Sequence, residues 1–431
     1  MLKTHPYWWD TGAKPAAPPQ QPLPDKADIV IIGAGLTGLS AARCLAKAGR
    51  SVVVLEAECP GSGASSRNGG MMGGGHKLSV SKMIATYGEK LARQFLQEAH
   101  LESQKVTRGI IEEESIECDY RTSGRFRGLW SAAQFDPAAR ELDKLKSLIP
   151  LKAHMLSRAE QKNEVASDLY HGGTVYPDHG SLNPAKLTRG LLQAAISHGA
   201  LVQGNTPVVG VQQQKSGFTV TSSRGKFFTQ EILAATNGYP PTALSTARRR
   251  MIPIPSFIIA SEEMEPQTIK DLFPSGRMIV ENRMRHCYFR PSPDGKRIIL
   301  GARAAMLPIP EPLARAQLKS LLRQIFPQLE DIQISYSWWG FTGFTFETLP
   351  HLGQIDGIWH AMGFSGSGNA MAPYLGYRAA MSIMGEKEGE TAFRHTSFST
   401  RWWHRGWPWY RPGLDLGLRF MDLKDSITNR R

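Results

Sequence analysis

A chain of 431 residues with 41% apolar and 21% charged residues has the composition of an ordinary globular enzyme, long enough for two joined domains with sizeable cores. Its net charge of +13 attracts anionic cofactors and small molecules, but zinc-finger spacing, a basic-aromatic RNA signature and a helical Lys/Arg stripe are all missing, so nucleic acid is not an expected partner. Cys44, Cys59, Cys118 and Cys287 form no CxxC pair, which excludes a disulfide framework and a zinc knuckle, predicts no metal, and suits reduced thiols in a cytoplasm.

The first residues lead into no apolar signal region, and no uncharged apolar run is long enough to span a bilayer. Residues 1–25 hold an aromatic knot, Tyr7-Trp8-Trp9, and then a proline-rich stretch, the composition of an extended arm. Two exposed indoles are costly, so the arm is expected to dock. Residues 28–32 read as a buried parallel strand, 36–48 as a helix stopped by Gly49, and 51–55 as a second strand. Helical spacing follows over 80–115, and Asn183 before Pro184 caps a helix over 185–197. Strands are expected over 201–211, 217–221 and 231–236. Further strands are expected over 256–261, 286–290, 297–300 and 332–339, with helices over 313–326 and 371–384.

Between the first strand and helix lies Gly33-Ala34-Gly35-Leu36-Thr37-Gly38. Gly33 permits a tight turn, Gly35 lets backbone approach a pyrophosphate, and Gly38 lets helix and strand pack closely. The helix N-terminus offers N–H groups and a positive dipole to phosphates. Glu56 ends the second strand, where a carboxylate accepts ribose hydroxyls. No basic side chain follows it, which disfavours a 2′-phosphate. The next loop, Gly61 to Gly70, includes Gly63, Ala64, Ser65, Arg67, Asn68 and Gly69, small or hydrogen-bonding residues suited to a long ribityl-diphosphate chain. A second strand–turn–helix, with Gly363, Gly366, Ser367, Gly368 and Asn369, offers another helix N-terminus for the electron-rich edge of a flavin. Two such turns at opposite ends of the chain suit one elongated cofactor, FAD.

These stretches resemble the D-amino-acid oxidase, glycine oxidase and sarcosine oxidase family of FAD enzymes, and most closely its γ-glutamylputrescine oxidase branch. The likeness also takes in Gly124-Arg125-Phe126, Tyr288-Phe289-Arg290 and Gly301. It implies an α/β fold: a discontinuous Rossmann-type FAD domain (26–86, 152–238 and 347–390) and an antiparallel-sheet α+β substrate domain (87–151 and 239–346). The 1–25 arm precedes them and an aromatic basic extension, 391–431, follows. Val208 is implied near the adenine, with Thr236 and Asn237 near the diphosphate.

Departures from the family pattern shape the expected chemistry. Thr342 stands where amino-acid members place an arginine for the substrate carboxylate, Ile299 where some place an oxygen-activating lysine, and Ser367 where histidine or asparagine is frequent. The cysteine near Phe341 and histidine near Arg67 that attach FAD covalently elsewhere are missing, so FAD is expected to be non-covalent. The resemblance implies a pocket from Tyr288, Arg290, Arg303, Tyr336, Trp338, Trp339, Phe341, Thr342, Phe344 and Phe346. Aromatic faces there suit an ammonium, and Arg303 suits a distal carboxylate. Strand alternation turns only one of Trp338 and Trp339 inward. Arg67 is assigned either to the flavin N5 side or to phosphates, and His351 and His360 receive no chemical role.

The expected reaction is oxidation of an amine C–N bond, γ-glutamylputrescine-like or secondary, by hydride transfer to flavin N5. The imine is then hydrolysed, with oxygen as acceptor. The alternatives are an amino- or imino-acid dehydrogenase donating to a quinone or carrier, and a non-catalytic flavin-binding subunit. The Trp/Arg tail, 401–411, is expected to dock on the body, against the Trp8-Trp9 arm, rather than on a membrane.

Overall fold

The computed structural model describes residues 1–283 and 286–404, with 413, 416, 417 and 420. The apolar run after Asp28 becomes the strand Lys26–Ile32 near the centre of an eight-stranded sheet. It is flanked in parallel by Val52–Leu55 and Gly225–Ala234; Ile29 pairs with both Val52 and Glu231. Leu201–Gln203 extends the sheet on one side, and Ile358–Met362 with its hairpin partner His351–Ile355 on the other. Val208–Gln213 and Phe218–Ser222 join as an antiparallel flap. The segment 201–211, expected as one strand, is therefore two. Asn205 takes a left-handed φ of 49°, and the Asn205 and Thr206 N–H groups donate to the carbonyls of Glu58 and Glu56.

Helix Leu36–Lys47 packs on this sheet between Gly368–Met384 and Pro184–Ser197. The approach is close because glycines allow it. A Cβ on Gly38 would overlap the Gly33 carbonyl oxygen, and one on Gly376 would overlap that of Thr37. Ser40 Oγ donates to the Pro373 carbonyl at 2.7 Å, satisfying both groups at the crossing. Asn183 Oδ1 caps the third helix, accepting from Ala185 and Lys186 N–H at 3.1 and 3.2 Å.

The second sheet runs Ile334–Phe344, Ile252–Ser261, Ile298–Ala302, Tyr288–Pro291, Met278–Glu281, Arg125–Gly128, Gly173–Tyr176, His154–Leu156. It is antiparallel except where Met278–Glu281 meets Arg125–Gly128. Phe126, Phe257, Phe289 and Leu300 fill one face beneath helix Glu311–Ile325. Alternation turns Arg125, Arg127, Tyr288, Arg290, Gly301 and Arg303 to the other face, which meets the first domain.

Several boundaries differ from expectation. His154–Leu156 and Gly173–Tyr176, assigned to the cofactor domain by the 152–238 segment, pair into the second sheet. Phe95, Leu96, Ala99 and Ile110, assigned to the substrate domain by the 87–151 segment, share a core with Leu39 and Leu45. The helical stretch 80–115 breaks at Gly88, at φ 78°. The last strand reaches Phe344 because the whole segment pairs with Ile252–Ser261, and the last helix starts at Gly368.

The N-terminal arm docks, as its indoles require. Trp8 is fully buried and its Nε1 donates to the Asn68 carbonyl at 2.8 Å, while Trp9 Nε1 donates to Ser66 Oγ at 3.0 Å. Lys3 bridges to Tyr336 on the second sheet, so the arm ties the two domains together. Over residues 401–404 the tail docks on the body. There His404 Nε2 lies 3.1 Å from the carbonyls of Arg248 and Met251, and Trp403 packs on Phe346. Residues 405–411 of the expected docking segment lie outside the described residues. No helix among the described residues is long and apolar enough to cross a membrane.

Candidate active site

The glycine fingerprint forms a strand–turn–helix with its side groups already organised. Gly33, at φ 105°, presses on Ala235, whose carbonyl oxygen would be 3.0 Å from an added Cβ. Ser65 Oγ accepts from Leu36 N–H at 3.0 Å and sits 2.8 Å from where a Gly35 Cβ would be. Glu56 is held by the N–H groups of Ala34 (2.8 Å) and Glu58 (3.1 Å). Burial raises its carboxyl above the ordinary range, while those backbone donors oppose the shift. Ala34 and Thr37 are buried at the start of the helix. The Thr206–Glu56 bond carries the chain to Val208, buried beside Phe218 and Val220.

The loop after Glu56 and the distant second turn meet directly. Asn68 Oδ1 accepts from Gly70 N–H at 2.9 Å and from Asn369 Nδ2 at 2.8 Å; Asn369 Nδ2 also reaches the Met71 carbonyl. Asn68 Nδ2 donates back to the Ala64 and Ser65 carbonyls, which makes the loop rigid. Asn237, at a left-handed φ of 43°, accepts from Gly363 N–H at 3.0 Å, and Ser367 Oγ donates to the Gly75 carbonyl. Gly63 faces the Tyr239 ring. Gly366 has nothing within 4 Å of an added Cβ, and Gly368 meets only Phe364 at 4.0 Å. Thr236 Oγ1 and Asn369 Oδ1 are buried with no hydrogen-bond partner in the protein. Open space above glycines, with polar atoms awaiting partners, is what FAD needs of this cradle.

Arg67 is already engaged. Its Nε donates to the Ser62 carbonyl, its guanidinium lies 4.8 Å from the Trp9 ring centre, and its carbonyl accepts from Trp338 Nε1 at 2.7 Å.

Across the cleft, the Tyr288 ring rests where a Gly69 Cβ would come within 2.5 Å, and it covers Gly301 as well. Its hydroxyl is 3.5 Å from Ser256 Oγ, and burial pushes the phenol up to about 12. The Arg303 guanidinium lies 5.6 Å from the Phe344 ring centre. Thr342 shares that strand face with Gly340 and Phe344. The other expected pocket residues are placed differently. Arg290 is buried and spends its guanidinium on the carbonyls of Gly70 (2.7 Å) and Leu182 (3.0 Å). Trp339 and Phe341 alternate to the other strand face; Trp339 lies against Phe257, while Phe341 stays beside the cofactor loops, packed on Tyr239 next to Gly238, with its N–H donating to the Tyr239 hydroxyl at 2.8 Å. Tyr336 and Trp338 pack with Tyr7, Trp8 and Ile299 under the arm, and Phe346 under the tail. His351 and His360 are structural: burial lowers both to about 4, and each sits near a backbone carbonyl.

Sequence reading missed Lys77, His100, Arg127, His179 and His286, and saw Arg125 only as part of a resemblance. Arg125 and Arg127 occupy alternate positions of one strand, a signal that became meaningful only once the face was known.

Fold and cradle together define a two-domain flavoenzyme with its pocket between a Rossmann-type cofactor domain and a largely antiparallel sheet. Residues 28–381 match the family model described as FAD dependent oxidoreductase (DAO), and the chain belongs to that family. It is an FAD-dependent oxidoreductase of amine or amino-acid substrates. It is 29% identical over 392 residues to "Probable oxidoreductase OrdL" of Haemophilus influenzae, covering 90% of each chain. It is 27% identical over 411 residues to gamma-glutamylputrescine oxidoreductase of Escherichia coli (strain K12), covering 93% of each. The glycine oxidase structure from Geobacillus kaustophilus superposes with a TM-score of 0.73 at 22% identity, covering 88% of this chain and 99% of that one, and shows the shared fold.

Proposed function

We propose that the enzyme oxidises the C–N bond of a primary or secondary amine, of the γ-glutamylputrescine type or a related amine with an anionic tail, to an imine that water then hydrolyses. The observation that carries this reading is the cleft between the Asn68–Asn369 junction and the Tyr288–Gly301 face, with Arg303 and Phe344 at its wall. FAD, when bound, would supply the two-electron acceptor for the hydride leaving the amine carbon. Gly33, Gly35, Gly38 and Glu56 would hold its nucleotide end, and Asn68, Thr236, Asn237 and Asn369 its middle. The Gly363–Gly368 turn would hold its ring edge. The cofactor is held non-covalently; Cys287, the cysteine beside Tyr288 in sequence, points into the opposite core. Chain residues need only align the C–H bond and exclude bulk water. The compartment that fits four unpaired thiols is the cytoplasm.

Oxygen serves as acceptor in this reading. One observation favours a quinone or carrier instead: Ile299 is sealed under Tyr7, Trp8 and Trp338, offering no charge to reduced oxygen species. Anaerobic titration of the yellow holoenzyme with amines and amino acids tests the reaction; bleaching by an amine is the expected result. Reoxidation in air then separates the acceptors, since a reduced cofactor stable for minutes rules out an oxidase.

A further inference from the structure

We propose that the substrate amine carries a doubly negative head, a phosphonate or a pair of carboxylates, held by Lys77, Arg125, Arg127 and Arg303. This rests on the amine-oxidising reading and names the substrate class for that site.

The four cations come from separate segments and converge on one cleft. Arg125 and Arg127 leave the same side of strand Arg125–Gly128, opposite the buried Phe126. The Arg125 guanidinium lies against Gly73, whose added Cβ would be 2.5 Å from both Arg125 Nη2 and His179 Nδ1. Arg125 Nε is buried without a hydrogen-bond partner in the protein, and so are His179 Nδ1 and His100 Nδ1. Lys77 lies two residues after Gly75, whose carbonyl accepts from Ser367 Oγ at 3.1 Å, which ties this segment to the second glycine turn. Arg303 leaves strand Ile298–Ala302 over Phe344. His286 lies 6.0 Å from Tyr288, ring centre to ring centre, and Tyr288 rests on Gly69.

The charges act on one another. Burial, then Arg303, Arg127 and Arg125, hold the Lys77 ammonium down to about 8. Lys77, burial, Arg303, Arg125 and Arg127 all depress His286. Among the described residues, the strongest charges acting on these two groups are positive. Lys77 is solvent-exposed, so the crowding by Arg303, Arg127 and Arg125, rather than loss of water, is the part of this shift that its position supports. One carboxylate needs one guanidinium fork. Three guanidiniums and an ammonium around one space call for a dianion, and the anionic diphosphate of FAD has its own cradle at Gly33–Leu36.

The test uses holoenzyme and amines that share the reacting carbon but end in a neutral group, one carboxylate, two carboxylates or a phosphonate. The doubly negative members should show KM lower by about ten- to hundredfold, the worth of one or two charge-assisted hydrogen bonds. Lys77→Gln and Arg127→Gln should erase that preference, and Lys77→Arg should keep it. As a binding readout, malonate or inorganic phosphate should perturb the flavin spectrum and compete with substrate; acetate at matched ionic strength should do neither. The arm with the lowest KM separates phosphonate from dicarboxylate. Equal KM for singly and doubly negative amines overturns the proposal. So do variants that move the flavin potential without altering anion preference, since the cations would then serve the cofactor. If malonate or phosphate binds but no amine bleaches the flavin, the amine-oxidising reading fails instead.

Discussion

Asn68 Oδ1 accepts a hydrogen bond from Asn369 Nδ2 at 2.8 Å, joining the loop after the ribose-binding strand to the helix that opens at the second glycine turn. The two residues are 301 positions apart, and this bond makes two local motifs into one cofactor seat. Asn369→Leu keeps the size and removes the donor, leaving Asn68 Oδ1 with only Gly70 N–H. Losing one such bond at a buried site costs about 1–3 kcal/mol. FAD affinity should fall by about ten- to hundredfold, read by the flavin released in ultrafiltration. Unchanged retention would show that the seat assembles without this bond.

The arm is predicted to act on cofactor retention as well as on stability. Trp8 is fully buried, and its indole N–H holds the backbone of Asn68 itself. Trp8→Ala should cost about 3–5 kcal/mol of stability, as large aromatic truncations do. It should also loosen FAD, because the Asn68 carbonyl loses its donor. Trp9→Phe, which keeps the ring against Arg67 but loses the bond to Ser66, should have the milder effect on melting temperature and flavin content.

Local features were legible in the sequence because local physics decides them. The run before Gly33, the glycine spacing and the position of Glu56 specify a βαβ unit within a short window, and Asn183 before Pro184 specifies a helix start. Alternation allowed only one of Trp338 and Trp339 inside, and the choice fell on Trp338 because Arg67 offered its carbonyl. Of the cationic wall only Arg303 was legible as a site residue, through the family resemblance. Lys77, Arg127 and His286 carry no motif, and only the pairing of Arg125–Gly128 beside Met278–Glu281, and of Tyr288 with Gly301, brings their segments together. Arg290 misled because a buried guanidinium and a substrate-binding one look identical in sequence; its partners are the carbonyls of Gly70 and Leu182.

Glu56 gives FAD binding a pH dependence with a definite sign. Burial raises its carboxyl above the ordinary value of 4.5, so the FAD-free protein keeps its proton to higher pH than the unfolded chain does. Between those two values the folded protein binds more protons, and the stability of the FAD-free form falls as pH rises. Ribose hydroxyls donate to the ionised carboxylate, so FAD affinity should weaken as pH falls through the raised value. Glu56→Gln should bind FAD more weakly at neutral pH and show a flatter profile. A wild-type affinity that is flat across the acid range would remove Glu56 from the ribose site.

Lys77 makes the opposite end of the pH scale informative. Its ammonium is held down to about 8 by burial and by Arg303, Arg127 and Arg125, with His286 facing the same space. A lysine whose folded value lies below its ordinary 10.5 binds more protons unfolded than folded between the two. Stability therefore rises with pH across that window, and below about 8 the full cost of the crowded charge is present. The melting temperature of substrate-free enzyme should climb from pH 8 toward 10 at constant ionic strength, apart from the contribution of other groups, and Lys77→Gln should flatten the climb. Anion recognition runs the other way. Loss of the ammonium proton above about pH 8 should raise KM for a doubly negative amine, with kcat free of that inflection. Saturating phosphate should move the inflection upward, since an anion beside Lys77 favours its charged form. Lys77→Arg, which stays protonated throughout, should remove the inflection in KM while keeping the anion preference. An inflection that survives in Lys77→Arg would assign it to another group and take Lys77 out of the anion site.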